Sequence, residues 1–166
     1  MLSASYQNFI DEIKKTVDPK RIYTDPLRTF AYGTDASFYR FVPKVVVRTF
    51  NEAEVRAVLA ASARYKVPVT FRAAGTSLSG QASTDSVLVL ASQGWEKYEV
   101  LEGGAVIRSQ AGIVGARLNQ ILKPFGRKIG PDPASVGSAM IGGIVANNAS
   151  GMNGTNENSY RTLRSI

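Results

Sequence analysis

The 166-residue chain contains no cysteine and no histidine. Disulfides are therefore excluded, as are metal sites built on thiolate or imidazole ligands. Ser–His and Cys–His nucleophile pairs are excluded within the chain as well. Any chemistry must come from carboxylates, lysine, tyrosine, arginine, backbone dipoles or a bound group. No apolar run approaches the ~20 residues that span a bilayer. Residues 1–15 lack the basic-then-apolar order of a secretory signal. The chain is thus expected to be cytoplasmic, with peripheral attachment at the inner face of a membrane left open. It has no internal repeat and no low-complexity linker.

What is present suits one soluble globular chain with a real core. Hydrophobic residues make up 44% and charged residues 20%. The net charge of +7, from 20 Lys and Arg against 13 Asp and Glu, favours an anionic partner. The basic residues are scattered (Lys14, Lys20, Arg28, Arg40, Lys44, Arg48 and on) rather than interleaved with aromatics. That pattern reads as a solvated basic surface and not as a nucleic-acid patch. A dinucleotide pyrophosphate also suits a basic domain, but net charge does not select it.

Tyr6, Phe9, Ile10, Ile13 and Val17 recur at helical spacing, with Ser5 as a cap and Asp18-Pro19 as the stop. Residues 24–41 are rich in aromatics and turn formers and read as an irregular arm. Val45-Val46-Val47 marks a buried strand. Asn51 and Glu54 then open a helix to about Tyr65, with Val55, Val58, Leu59 and Ser62 on one face. Strands are expected at residues 67–72 and 87–91. Strand, helix and strand in this order imply a right-handed crossover and parallel pairing.

Beyond residue 92 the pattern changes. Residues 98–101 and 105–110 form a hairpin across Glu102-Gly103-Gly104. A helix carries Val114, Leu118, Ile121 and Leu122 and ends at Pro124 and Gly126. Residues 140–148 form a short helix of small residues. The fold class is α+β, with a small parallel sheet and helices over residues 1–92 and an antiparallel sheet over 93–166. Residues 160–166 read as an element beginning, as in a piece of a longer protein.

Two glycine-rich segments carry the chemistry. The first, Phe71-Arg72-Ala73-Ala74-Gly75-Thr76-Ser77-Leu78-Ser79-Gly80-Gln81, directly follows a strand. Glycines permit positive φ, and consecutive N–H groups in such a turn make a concavity for an anion. It is not a P-loop, because Gln81-Ala82 stands where Lys-Ser/Thr is needed, and G-x-G-x-x-G is absent. Alone, it fits a phosphate turn and a tight surface turn equally well. The second runs Gly130-Pro131-Asp132-Pro133, then Ser138 to Gly151 through Ile141-Gly142-Gly143 and Asn147-Asn148. Here the glycines remove side chains where something must approach, either a ligand or a packed helix.

Together, R-A-A-G-T-S-L-S-G-Q, G-P-D-P-A-S and I-G-G-I-V-A-N-N-A-S-G resemble the FAD-binding domain of the vanillyl-alcohol-oxidase-type (PCMH-type) flavoproteins. The similarity is greatest to the FAD-linked D-lactate and glycolate dehydrogenases. The stretch from Thr24-Asp25-Pro26 to Thr34-Asp35-Ala36-Ser37 resembles the large members with a C-terminal iron–sulfur region. The resemblance implies two α/β subdomains with FAD between them. It implies cofactor contacts from Arg72, Ala73, Ala74, Gly75, Thr76, Ser77, Leu78, Gly80 and Gln81. It implies further contacts from Pro131, Asp132, Pro133, Ser138, Ile141, Gly142, Gly143, Asn147 and Gly151.

Some relatives tether FAD through a histidine in the first turn. Gly75-Thr76-Ser77 stands there in this chain, so the implied flavin is noncovalent. The implied reaction is oxidation of a D-2-hydroxy acid, D-lactate before glycolate or D-2-hydroxyglutarate. Hydride passes to the flavin, and electrons go on to a quinone, cytochrome or iron–sulfur acceptor. The substrate's partners and any iron–sulfur cluster belong to regions outside these residues, so no catalytic or metal-binding residue is assigned. Asp35, Asp85 and Asp132 read as turn or cap residues. With the site incomplete, the chain alone is expected to bind FAD weakly or not at all and to be inactive. The rivals are a sugar-nucleotide reductase on the same scaffold and a nonenzymatic phosphate- or nucleic-acid-binding module.

Overall fold

A computed structural model describes residues 2–152 and 158–166. The chain divides into two compact units, Met1–Gly94 and Trp95–Ile166. Among the described residues, no helix is long and apolar enough to cross a membrane.

The first unit opens with α1 (Ala4–Ile13), which buries Phe9, Ile10 and Ile13. Ser5 lies inside this helix, and Ser3 holds the N-cap position without a side-chain bond. The helix stops before Asp18-Pro19, which instead starts a short 3-10 turn with Asp18 accepting from the Lys20 N–H at 2.9 Å. Val17 is buried beyond the helix end, so burial there follows the helical period without the helix.

Two elements come without a sequence signal. The strand β1 (Ile22–Tyr23) is too short to show alternation. The helix α2 (Pro26–Ala31) lies in the expected irregular arm. It buries only Thr29, so it shows no apolar period, although Asp25 caps it and Pro26 starts it.

The remaining elements of this unit are β2 (Val45–Arg48), α3 (Glu52–Tyr65), β3 (Val69–Arg72) and β4 (Val87–Leu90). The sheet order is β1-β2-β4-β3. β2 and β3 each pair parallel with β4, Val45 and Val69 both lying opposite Val87, and β1 pairs antiparallel with β2. The expected β2–β3 pairing is thus replaced by insertion of β4 between them. All four residues of β4 are buried, so it takes a central place covered on both faces, while β3, preceded by Pro68, takes an edge. One face of the sheet packs Val45, Val47, Val87 and Val89 against Phe9, Ile13, Val58, Ala61 and Val67. The other buries Tyr23, Val46, Leu88 and Leu90, with Tyr32 against them.

α3 turns Glu54, Val58 and Ala61 inward, and Leu59, expected on the buried face, is 44% exposed. A buried ion pair sets this orientation. Arg21 grips Glu54 through both nitrogens, at 2.7 and 2.6 Å, and also donates to the Arg48 carbonyl at 3.0 Å. Asn51 caps the helix by accepting from the Glu54 N–H at 3.0 Å. Glu54 accepts in turn from the Phe50 N–H at 2.8 Å, one residue earlier than a capping box would have it. Burial pushes the Glu54 carboxyl up, but the Arg21 bonds and charge and the Phe50 N–H outweigh it and leave it below its ordinary value.

The second unit begins with an antiparallel hairpin, β5 (Tyr98–Leu101) and β6 (Val106–Ser109). Glu102, Gly103 and Gly104 all take positive φ at its turn. Among the described residues, three α-helices follow: α4 (Gly115–Leu122), α5 (Ile141–Ala146) and α6 (Ser159–Thr162).

Candidate functional site

The first glycine segment leaves β3 at Arg72, whose carbonyl still accepts from the Ala91 N–H at 3.1 Å. The chain then quits the sheet. Among the described residues, the N–H groups of Ala74, Gly75, Thr76 and Ser77 have no acceptor. Four consecutive unpaired donors form a row of partial positive charge, which suits an anion. Gly75 sits at φ +70°, where a Cβ would lie 3.2 Å from Cδ of Arg72. Thr76 and Ser77 are half-buried, and Leu78 is 73% exposed. Gly80 has a different reason to be glycine. At φ +77°, its Cβ would lie 2.5 Å from the Tyr39 ring.

The turn is held from below. Arg72 is only 7% exposed. Its Nε donates to the Ala82 carbonyl at 2.9 Å, which ties the two ends of the turn together. Its Nη1 donates to the carbonyls of Tyr32 and Thr34, at 3.0 and 3.1 Å. Burial pushes the Arg72 guanidinium below its ordinary value. Arg72 is therefore a strut under the turn, not a side chain open to solvent.

Asp35 braces the same turn from the side. It accepts from Ser37 N–H at 2.8 Å, Ser37 Oγ at 2.5 Å and Ser83 Oγ at 3.0 Å. The Ala36 N–H donates to the Gly75 carbonyl at 3.0 Å. Burial pushes the Asp35 carboxyl up, and the bonds from Ser37 and Ser83 with the charge of Arg72 outweigh it, so the net displacement is downward. Asp35 is thus a turn residue, as its Asp-x-Ser spacing indicates. Its bond to Ser83, 48 positions away, left no mark in the sequence.

The second segment is built differently. Pro131 is buried. Asp132 and Gly151 form a parallel bridge in which the Asp132 N–H donates to Ser150 at 2.7 Å and the Met152 N–H returns to Asp132 at 3.3 Å. A Cβ on Gly151, at φ +82°, would lie 1.7 Å from the Asp132 carbonyl oxygen. The first donors of α5 are spent internally, Ile141 N–H on the Ile113 carbonyl and Gly142 N–H on the Ala111 carbonyl, both at 2.8 Å. A Cβ on Gly142 would lie 2.8 Å from Cβ of Ala111. What approaches Gly142 is therefore Ala111 of the same unit. Ser138, Gly143 and Asn147 are exposed, and Asp132 is within 3.6 Å of the Lys128 ammonium. Among the described residues, no group of three or more acidic, His or Cys side chains converges to hold a metal ion.

A mixed sheet with parallel strands, a separate antiparallel hairpin and a donor-rich turn after a parallel strand make an α+β fold with one turn suited to an anion. Solved structures share this fold. The 4-ethylphenol oxidase from Gulosibacter chungangensis aligns over 90% of this chain and 30% of its own, with a TM-score of 0.75 and 20% identity. An alkyldihydroxyacetonephosphate synthase aligns over 86% and 30%, with a TM-score of 0.73 and 21% identity. The family model described as an FAD binding domain matches residues 43–166, and the chain belongs to that family. It has the PCMH-type FAD-binding fold, and FAD is its cofactor.

Among its relatives, D-2-hydroxyglutarate dehydrogenase of Escherichia coli K12 is 33% identical over 87% of this chain and 14% of its own. Glycolate oxidase subunit GlcD of the same organism is 36% identical over 70% and 24%. A D-lactate dehydrogenase of Archaeoglobus fulgidus is 32% identical over 72% and 26%. The chain therefore spans only about a seventh to a quarter of these relatives.

Proposed function

We propose that this chain is the FAD-binding part of an oxidoreductase that oxidises a D-2-hydroxy acid, and that residues 74–77 hold the cofactor's pyrophosphate. The observation that carries the reading is the row of four unpartnered N–H groups at Ala74, Gly75, Thr76 and Ser77. Hydrogen bonds from such donors to a phosphate are charge-assisted and short. The hydroxyls of Thr76 and Ser77 are within the same turn, and Ala73, Leu78, Gly80 and Gln81 complete its path. In the second segment, Ser138, Gly143 and Asn147 are exposed. Pro131, Asp132, Pro133, Ile141, Gly142 and Gly151 hold that segment in shape.

The chemistry that bound FAD supplies is acceptance of a hydride from the substrate's C2. This chain's residues bind and orient the cofactor, and none of them is a histidine or cysteine that could tether it. The substrate class is supported by the names of three relatives, which place D-2-hydroxyglutarate and glycolate beside D-lactate. A quinone, cytochrome or iron–sulfur centre is the destination of the electrons. The test is anaerobic: FAD-loaded protein carrying this domain is mixed with D-lactate, glycolate or D-2-hydroxyglutarate. One of them is expected to bleach the flavin absorbance, with L-lactate inert. No bleaching by any of the three refutes the substrate class.

A further inference from the structure

We propose that Arg72 is a positioning residue that charges the phosphate-binding turn from beneath, with Asp35 as the counter-charge that sets its strength. The inference rests on the assignment of residues 74–77 to the pyrophosphate.

Four observations carry it. Arg72 is 7% exposed, and its stem lies directly under the turn, with Cδ 3.2 Å and Cγ 3.7 Å from the place a Gly75 Cβ would occupy. Its bonds all go to neutral carbonyls, those of Tyr32, Thr34 and Ala82. Its Nη2 is the buried side-chain donor left without a partner among the described residues. Asp35 interacts with Arg72 through its charge, but among the described residues the two form no ion pair, and Asp35 spends its oxygens on Ser37 and Ser83.

A buried cation that is hydrogen-bonded but not neutralised keeps much of its field, because little water surrounds it to screen it. The four unpaired N–H groups of the turn add partial positive charge beside it. An anion on the turn therefore relieves the cost of burying Arg72. Carbonyl ligation by Nε and Nη1 also fixes the path of the turn before the ligand arrives, so its donors need no rearrangement. Asp35 opposes the field of Arg72 while bracing the Gly75 carbonyl through Ala36. Neutralising Asp35 without losing its bonds should strengthen anion binding. A damaged fold does not produce that sign.

The experiment uses the 166-residue chain and inorganic pyrophosphate, titrated at constant ionic strength and followed by amide NMR. In the wild type, the amides of Ala74, Gly75, Thr76 and Ser77 are expected to shift. If they do not, the assignment of the turn falls, whatever Arg72 does. Given those shifts, Arg72→Met is expected to weaken pyrophosphate about tenfold or more, through loss of a little-screened charge beside the turn. Arg72→Lys, which keeps the charge, is expected to recover most of that loss. Asp35→Asn, whose amide can still accept from Ser37 and donate to Ser83, is expected to tighten binding about threefold. Unchanged affinity in Arg72→Met overturns the proposal. So does Arg72→Lys as weak as Arg72→Met, or Asp35→Asn without a gain. Should Arg72→Met fail to fold, the Lys and Asn variants decide the matter.

Discussion

Gly151→Ala offers the sharpest test of how the second segment is held. The added Cβ would lie 1.7 Å from the carbonyl oxygen and 2.1 Å from the carbonyl carbon of Asp132. Both are backbone atoms, so no rotamer change relieves the overlap, and the bridge must open. Opening it loses the Asp132 N–H bond to Ser150 and the Met152 N–H bond to Asp132. Two such bonds are worth about 0.5–1.5 kcal/mol each. Holding φ near +82° with a side chain costs about 1–2 kcal/mol more. The expected loss is about 2–5 kcal/mol, or about 4–20 °C in Tm for a chain of this size. Urea unfolding followed by circular dichroism measures the total, and hydrogen exchange at the Asp132 and Met152 amides locates it. A variant within about 0.5 kcal/mol of the wild type, with both amides still protected, would refute the assignment of Gly151 to the bridge.

Other outcomes follow from the same geometry. Gly142→Val is expected to destabilise the fold, because Ala111 already stands 2.8 Å from the added Cβ and overpacking costs about 1–3 kcal/mol. Gly75→Val places its Cβ 3.2 Å from Cδ of Arg72 and 3.5 Å from Cβ of Asp35 at φ +70°, so it should cost about 1–2 kcal/mol of stability and also lose FAD affinity in the complete protein, as urea unfolding and flavin retention on gel filtration would show. Glu54→Leu leaves the part-buried Arg21 without its counter-charge and should cost about 3 kcal/mol by urea unfolding. The folded-state Glu54 carboxyl lies below its ordinary 4.5, so its stabilisation is present above that value and is lost as pH falls through and below it. Glu54→Gln should flatten that acid limb, and an unchanged limb would show that Glu54 does not contribute to it.

Much of the fold is legible in local patterning. Val45-Val46-Val47 and residues 87–90 announce themselves as buried strands because their apolar runs allow nothing else. Asn51 marks the start of α3 through one local hydrogen bond. β1 and α2 escape notice because each buries too little to show a period, although Asp25-Pro26 is a start signal for α2. The place of β4 between β2 and β3 also escapes, since sequence order does not set spatial order and full burial of β4 does. Leu59 looks like a core residue until Arg21, from outside the helix, claims Glu54 and turns the buried stripe.

The candidate site divides along the same line. The amino-acid sequence shows that no histidine or cysteine of this chain can tether a flavin, and that two glycine-rich segments carry the family resemblance. It could not tell the glycines apart, because conformational freedom and lack of space call for the same residue. Only the tertiary structure decided that Gly75 belongs to a turn with free donors, whereas Gly80, Gly142 and Gly151 make room for Tyr39, Ala111 and Asp132. It likewise shows Arg72 as a buried strut, because the carbonyls that bind it come from Tyr32, Thr34 and Ala82. Those partners are 40, 38 and 10 positions away along the chain, and folding alone brings them to one guanidinium.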